Sequence, residues 1–548
     1  MSGGTGVGAD RGFVGDHRSR ATGWRAGALL PVLIYSAMVM SVLSTLGSPM
    51  IPTIAREQGV SLEAAQWVLT ITLLVGAVTT PITGRLADGP WRKQTILGSL
   101  GLVFVGSVLA AAAPSFGVLM VGRAFQGLGL GLVPLAISVA RDGLSPDKAR
   151  GGIAILSVST AIGTGLGYPI TGIIAQNLDY RAAFWFAAII SVIAFALIAL
   201  VVPSTRHRPS QPLDVVGAVL LSIALAALLL GISQGRTYGW ASPAILGLFA
   251  VALVAGVVWG MQALRTAYPL VNLRLMANRS VLAADIVALM MGVSLYAMSS
   301  LVNRYVQAPR EAGYGFHAGL IATGLMLAPL SIGSLLSTRT STWLTGKFGA
   351  RWVLPIGSLI VALDMIFVGV SRSARWEVVL AMAVLGLGIS TTFAAMPLLI
   401  IRAVPPSETG SATSMNTVLR TIGGAVGSAA SIALLSAFTP AGSHLPSDTG
   451  YSVTFIAGAV ICLGAAVVSL VMLPGGRDGE GATGAMPVVT AHGNTVAAVI
   501  PGHGREGAPA MPAASTTTAT VTSPVVSGLS PLAPDAASSL FSGKESLS

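Results

Sequence analysis

Apolar stretches recur almost without pause from Gly27 to Leu473, and this pattern limits the fold more than any motif does. A chain in hydrocarbon has no water to satisfy its N–H and C=O groups, so it crosses as helices, each needing roughly 20 apolar residues. The spacing predicts helices near 27–48, 64–83, 95–113, 118–140, 152–174, 182–202, 213–233, 242–264, 281–302, 319–337, 353–371, 377–401, 412–437 and 451–473, which is fourteen segments. Hydrophobic residues make up 53% of the chain and charged residues 9%. With a mean hydropathy of +0.79, no soluble domain of this length is expected. The class is an all-α membrane protein.

The net charge of +11 would suit a nucleic-acid binder if the basic residues clustered on one surface. Instead they alternate between connections. With an inside N-terminus, 22 Lys and Arg fall on the inner side and 7 on the outer, leaving Arg123 and Arg420 within helices. That is the positive-inside bias, which puts both termini in the cytoplasm and implies no nucleic acid. The first 25 residues are polar and the run after them is long enough to span, so no cleavable signal peptide is expected. The lone cysteine, Cys462, lies in the last segment as a small apolar filler. From Pro474 onward the Gly, Ala, Thr, Ser and Pro composition predicts a disordered cytoplasmic tail.

Between segments 2 and 3, on the inner side, lies the charged turn GRLADGPWRKQTILG, Gly84 to Gly98. A partial echo, TGKFGARWVLPIG from Thr345 to Gly357, is expected as the connection between segments 10 and 11. It keeps Lys347, Gly349 and Arg351 but has Gly346 where an acid would stand. A turn after the second helix of each unit implies two six-helix repeats separated by an inserted pair, an arrangement many secondary transporters share. The expected divisions are a cytoplasmic segment 1–25, an N-terminal half 26–203, an inserted pair 204–265, a C-terminal half 266–474 and a tail 475–548.

These residues resemble the major facilitator superfamily, in particular its fourteen-helix drug/proton antiporter branch of multidrug exporters. Gly84, Leu86, Ala87, Asp88, Arg92 and Lys93 are similar to the signature between helices 2 and 3, with Trp91 where Gly is usual. LMVGRAFQGLGLG resembles the helix 4 signature through Arg123, Gln126 and Gly127. GTGLGYPITG resembles the antiporter motif of helix 5 through Gly163, Gly167, Pro169 and Gly172, with Tyr168 interrupting the usual Gly-Pro pair. VPPSETGSATSMNTVLRTIGGAVGS resembles the helix 12 to 13 region, and LDVVGAVLLSIALAALLLGISQGRTYGW the inserted pair. One departure concerns mechanism, because Leu43 stands where family members commonly carry an Asp on helix 1. The resemblance covers about residues 25–475 and implies a major facilitator fold.

Several residues carry the expected chemistry. Arg123 inside a span must be paired or wet, since an isolated guanidinium there costs about 2.5–3.5 kcal/mol on insertion scales. A proton carrier must change charge during the cycle, and Asp285 and Asp364 are the acids well inside segments, so these two with Arg123 are the proton-coupling candidates. Helix 9 lines the cavity in this superfamily by the repeat, which favours Asp285. The turn supplies a cytoplasmic gate of Gly84, Asp88, Arg92, Lys93 and Arg141, in which Asp88 pairs with Arg92 or Arg141 or faces the N-terminus of helix 13. A central cavity bounded by helices 1, 4, 9 and 12 would be lined by Tyr35, Met38, Gln126, Tyr168, Tyr296, Met396 and Asn416, whose aromatic and thioether groups suit varied apolar ligands.

No Walker-type phosphate loop and no Cys/His cluster occur, so neither an enzyme nor a metal site is expected. The expectation is a monomeric, multi-pass plasma-membrane exporter working in the lipid bilayer. It would exchange protons for small hydrophobic substrates by alternating access, with no cofactor beyond the proton gradient. The alternatives are export of an endogenous lipid or secondary metabolite, an uptake symporter, and a non-transporting sensor on the same fold.

Overall fold

The computed structural model describes residues 24–47, 50–203, 212–440 and 445–473. Most of the expected N-terminal segment and all of the expected tail lie outside the described residues. Regular structure among the described residues is helical throughout. Fourteen helices are long and apolar enough to cross a membrane. They are α1 (Trp24–Thr45), α2 (Trp67–Leu86), α3 (Arg92–Ala111), α4 (Phe116–Gly143), α5 (Lys148–Ile174), α6 (Tyr180–Val201) and α7 (Val215–Gly235). The remainder are α8 (Pro243–Arg265), α9 (Arg279–Val306), α10 (Ile321–Phe348), α11 (Ala350–Val370), α12 (Arg375–Ala403), α13 (Thr409–Ala437) and α14 (Asp448–Met472). An even number of crossings leaves Trp24 and Met472 at the same end of the bundle.

Within the first half, α1 packs on α5 and α6, and α3 on α4 and α6; within the second, α9 packs on α13, α10 on α12, and α11 on α12 and α14. The halves meet chiefly where α2 lies along α13 and where α5 lies along α10 and α12. Under an eight-position repeat α2 corresponds to α10 and α5 to α13, so the α2/α13 and α5/α10 crossings are equivalent.

Lipid tails are as apolar as the side chains, so helix association here rests on close packing by small residues. The α9/α13 seam is an example: a Cβ on Gly423 would stand 2.9 Å from the carbonyl carbon of Leu289, and one on Gly427 would stand 2.6 Å from Cα of Val293. Substitution at either position would push the two helices apart.

The inserted α7 packs against α2 and α13, where Ala218, Leu221 and Leu225 join Val78, Ile82 and Val418 in one cluster with Trp259 of α8. Outward-facing α8 leaves Leu246, Leu253, Val254 and Val257 exposed, the expected surface of a helix against lipid. Asp214 fixes the start of the pair. It caps Gly217 N at 2.8 Å, accepts from Gln262 Nε2 at 2.8 Å, and accepts from Leu270 N at 3.1 Å.

Two expectations need correcting. Segment 10 was expected to end near 337, but α10 runs to Phe348, because Ser and Thr there bond back to carbonyls of the preceding turn and stay helical. As a result Thr345 to Phe348 of the second charged stretch is helix, and only Gly349 separates α10 from α11, which opens with the short 3-10 turn Ala350–Trp352.

Candidate functional site

At the end of the bundle that holds Trp24 and Met472, the two halves are joined by a polar latch. Asp88 is the last residue of the helix Leu62–Asp88 that contains α2, and the first turn of α13 lies opposite. Its carboxylate accepts from Gly410 N at 2.8 Å and from Ser411 N at 3.0 Å. These N–H groups have no partner inside their own helix, and the helix dipole adds positive character, so the site favours an anion. Gly84, one turn earlier, permits the approach: a Cβ there would stand 2.8 Å from the carbonyl oxygen of Gly410. Arg85 donates Nη1 to both carboxylate oxygens of Glu408 at 3.1 Å.

A second arm runs from Arg92, which donates Nη2 to Asp142 Oδ2 at 2.8 Å and Nη1 to the Ser138 carbonyl at 3.3 Å. Asp142 Oδ1 in turn accepts from Arg141 Nε at 2.8 Å, and Arg141 Nη1 reaches Thr409 Oγ1 in the other half. Lys93 does not join this latch, since Nζ donates to the Ala199 carbonyl at 2.8 Å and so closes the last turn of α6 inside its own half. Sequence reasoning passed over Arg85, Asp142 and Glu408. Their signals were available: Asp142 follows Arg141 directly, and Glu408 precedes α13 in PPSETG, a helix-start pattern.

Asp88 lies beyond the end of its span and is 9% exposed. Burial pushes its carboxyl up to about 6; the Gly410 and Ser411 N–H groups pull the other way, while Glu408 adds to the rise and Arg141 opposes it.

Arg123, expected to face the interior paired or wet, is fully buried within the first half, where Nε donates to the Val68 carbonyl at 2.7 Å and Nη1 to Gln126 Oε1 at 2.6 Å and the Leu43 carbonyl at 3.3 Å. Its guanidinium also lies 5.8 Å from the centre of the Phe184 ring. Gln126, expected to line the cavity, passes the chain on to Ser107 Oγ at 2.8 Å. The cluster ties α1, α2, α3 and α4 together by polar bonds in an apolar setting, with the Phe184 ring of α6 against the guanidinium. Tyr35 is likewise occupied within this half, donating to the Ile190 carbonyl at 3.2 Å.

Asp285 in α9 is 2% exposed. Asn416 of α13 donates Nδ2 to its Oδ1 at 2.9 Å and to the Ala284 carbonyl at 3.1 Å, while Oδ2 has no hydrogen-bond partner among the described residues. Asp364 is buried in α11, its Oδ2 also without a partner among them, on the side of Cys462, whose thiol donates to Ser294 Oγ at 2.9 Å. That neighbourhood of α9, α11 and α14 lies inside the second half.

The helix 5 motif is placed between three helices. On one face a Cβ at Gly163 would stand 2.5 Å from Ser41 Cβ and 2.9 Å from the Met38 carbonyl, and Gly167 abuts Thr45, both on α1. On another, Ser331 of α10 donates to the Ile162 carbonyl at 2.8 Å, and Gly324 lies 3.2 Å from the Tyr168 carbonyl by the same measure. Pro169 sits inside the unbroken helix Pro146–Asn177, and Gly172 is buried. Met38 packs with Val158, Ile162 and Ala394, and so touches both halves. Tyr168 of α5 and Tyr296 of α9 are close enough to interact electrostatically. Met396 is buried in the second half's core. Among the described residues no group of three or more His, Cys, Asp or Glu could hold a metal.

A family model described as Major Facilitator Superfamily matches residues 33–338 and 309–532. An uncharacterized MFS-type transporter of Mycobacterium tuberculosis is 27% identical over 415 residues, which is 74% of this chain and 59% of that protein. This chain therefore spans less than two thirds of that relative. Multidrug resistance protein 3 of Bacillus subtilis is 27% identical over 411 residues, 73% of this chain and 77% of that protein. The crystal structure of the human organic anion transporter MFSD10 (TETRAN) superposes with a TM-score of 0.56 at 17% identity, covering 81% of this chain and 98% of that one. That likeness is one of fold.

Proposed function

This chain belongs to the Major Facilitator Superfamily, and from that premise, a membrane transporter and not an enzyme, we propose that it exports small hydrophobic molecules in exchange for protons by alternating access. The observation that carries this reading is the latch from Asp88 to Gly410 and Ser411. It joins one half to the other through bonds that exist only while that end is shut, so its energy biases one of two states. We take this end as cytoplasmic from the distribution of Lys and Arg. Closing the latch would seal the interior from the cytoplasm, and breaking it would admit substrate.

Asp285 is the proton site in this proposal. It lies on the seam between α9 and α13, one oxygen held by Asn416 and the other without a partner among the described residues. A proton arriving there would change the charge of a helix pair that carries part of the latch. Arg123, held by three acceptors, serves as a fixed structural cation in the same scheme. Relatives printed as multidrug resistance proteins support a drug-like substrate, and the α5 glycines against α1 support an antiporter. Purified protein in proteoliposomes with an imposed pH gradient, offered a panel of apolar dyes and antibiotics, tests the proposal. Flux of at least one compound that collapses with the gradient is expected; no gradient-dependent flux of any would refute proton exchange.

A further inference from the structure

Several buried arginines among the described residues have polar partners. Arg85 meets Glu408, Arg92 meets Asp142, and Arg372 meets Asp448 at 2.6 Å. Arg123, deep in the first half, has its three acceptors. Arg420 in α13 has neither a hydrogen bond nor an acidic partner among the described residues. Its one charge-related neighbour at short range is the Phe393 ring of α12, with the guanidinium carbon 4.7 Å from the ring centre. It is only half-buried.

The position is deep. Arg420 lies eleven residues into α13, about 17 Å from the latch end at 1.5 Å per residue. Around it stand Phe393 of α12, Tyr296 of α9 and, through Tyr296, Tyr168 of α5. Tyr296 packs against Gly424, one turn along α13, where a Cβ would stand 2.6 Å from its ring. Three helices of one half and one of the other thus converge on a single cation walled by aromatic rings. A guanidinium at such depth is expensive unless something pairs with it, and intramembrane charges without a protein partner mark ligand paths. Substrate sites in secondary transporters lie near the midplane between the repeats.

We propose that Arg420, with Phe393, Tyr296 and Tyr168, forms a binding site for the anionic group of an amphipathic aromatic substrate, so that the exported class is organic anions. This rests on the exporter reading above and narrows it. The guanidinium offers a planar fork of donors to a carboxylate or sulfonate, while the rings take the apolar body. A cationic dye of the same size would meet Arg420 as a like charge.

Two xanthene dyes separate the cases: fluorescein, an anion at neutral pH, and rhodamine 123, a cation. Binding of each to the purified full-length protein is measured for the native chain, Arg420→Gln and Arg420→Lys. The native chain is expected to bind fluorescein at least about tenfold more tightly than rhodamine 123. Arg420→Gln should weaken fluorescein by about ten- to a hundredfold, as loss of charged hydrogen bonds does, while changing rhodamine 123 by less than about threefold. Arg420→Lys should retain most of the preference. Equal or tighter binding of rhodamine 123 by the native chain, binding of neither dye, or an unchanged fluorescein affinity in Arg420→Gln would overturn the site. Should Arg420→Gln not fold, the native preference alone decides. Gradient-driven transport of rhodamine 123 without fluorescein would sink the anion site and leave the exporter reading standing; fluorescein binding without transport would do the reverse.

Discussion

Arg123 donates Nη1 to the backbone carbonyl of Leu43 at 3.3 Å, so the residue that stands in the place of a helix 1 acid still receives the arginine, through its main chain. A carbonyl satisfies a guanidinium without adding a titratable group. The Arg123 side chain is thereby held in the core of the first half, and the proposed proton exchange is assigned to Asp285 instead. Arg123→Met should leave Val68, Leu43 and Gln126 without this donor and lower the melting temperature, since each buried acceptor left unsatisfied costs roughly 1–3 kcal/mol. Differential scanning fluorimetry on the purified variant checks this. A variant as stable as the parent that fails only in proton coupling would contradict the structural role.

The latch leaves no room for a side chain at Gly84, where a Cβ would crowd Ser414 and stand 2.8 Å from the Gly410 carbonyl. Gly84→Val should hold the latch end open and slow turnover at least about tenfold while substrate still binds. Asp88→Asn should act in the same direction more mildly, because its amide nitrogen cannot accept from Gly410 N or Ser411 N. Labelling of single cysteines placed on the interior near this end is expected to rise in both variants. Unchanged labelling with full transport would mean that the turn is only a connector.

Protonation of Asp88 gives the latch a pH dependence of definite sign. In the shut state its carboxyl is pushed up to about 6, whereas in water after opening it returns near the ordinary value of about 4. The shut state therefore holds the proton more tightly, so lowering the pH through roughly 6 to 4 favours closure, and above about 6 the effect fades. Unlike Asn, the neutral acid keeps two oxygens able to accept. Distances between spin labels across the latch, measured from pH 8 to 4, should shorten in the parent and stay flat in Asp88→Asn. Lengthening at low pH would contradict the assignment.

Both ends of the described chain are expected in the cytoplasm on the Lys and Arg distribution. Reporter fusions after Met472 and within the connection between α13 and α14 should report opposite sides, the first cytoplasmic. Reports from the same side would remove the fourteen-crossing topology.

Much of the fold was legible because crossing a bilayer leaves one solution, a long apolar helix, and each segment announces it. The end of α10 was not: Ser341, Thr342 and Thr345 look like loop by polarity, yet their hydroxyls bond back to carbonyls of their own helix and remain inside it. In the site, Asp88 could be placed opposite α13 because an acid at a helix end and a helix N-terminus in the other half is a recognisable pairing. The Arg85–Glu408 pair was not placed, because the helix-start pattern around Glu408 marks the start of α13 without saying which basic residue of the other half meets it. Gln126 misled for another reason: sequence gives the depth of a polar residue in a helix but not whether a partner on a neighbouring helix waits beside it.

Gradient-driven flux in proteoliposomes made with Asp285→Asn tests the central claim most directly. Asn keeps the shape of a permanently neutral acid beside Asn416, so binding of a transported substrate should stay within about threefold of the parent. Efflux against an imposed pH gradient should fall to the level of empty liposomes. Efflux at the parent rate with the same dependence on the gradient would contradict the account, because the only proton it moves through the α9/α13 seam is the one on Asp285.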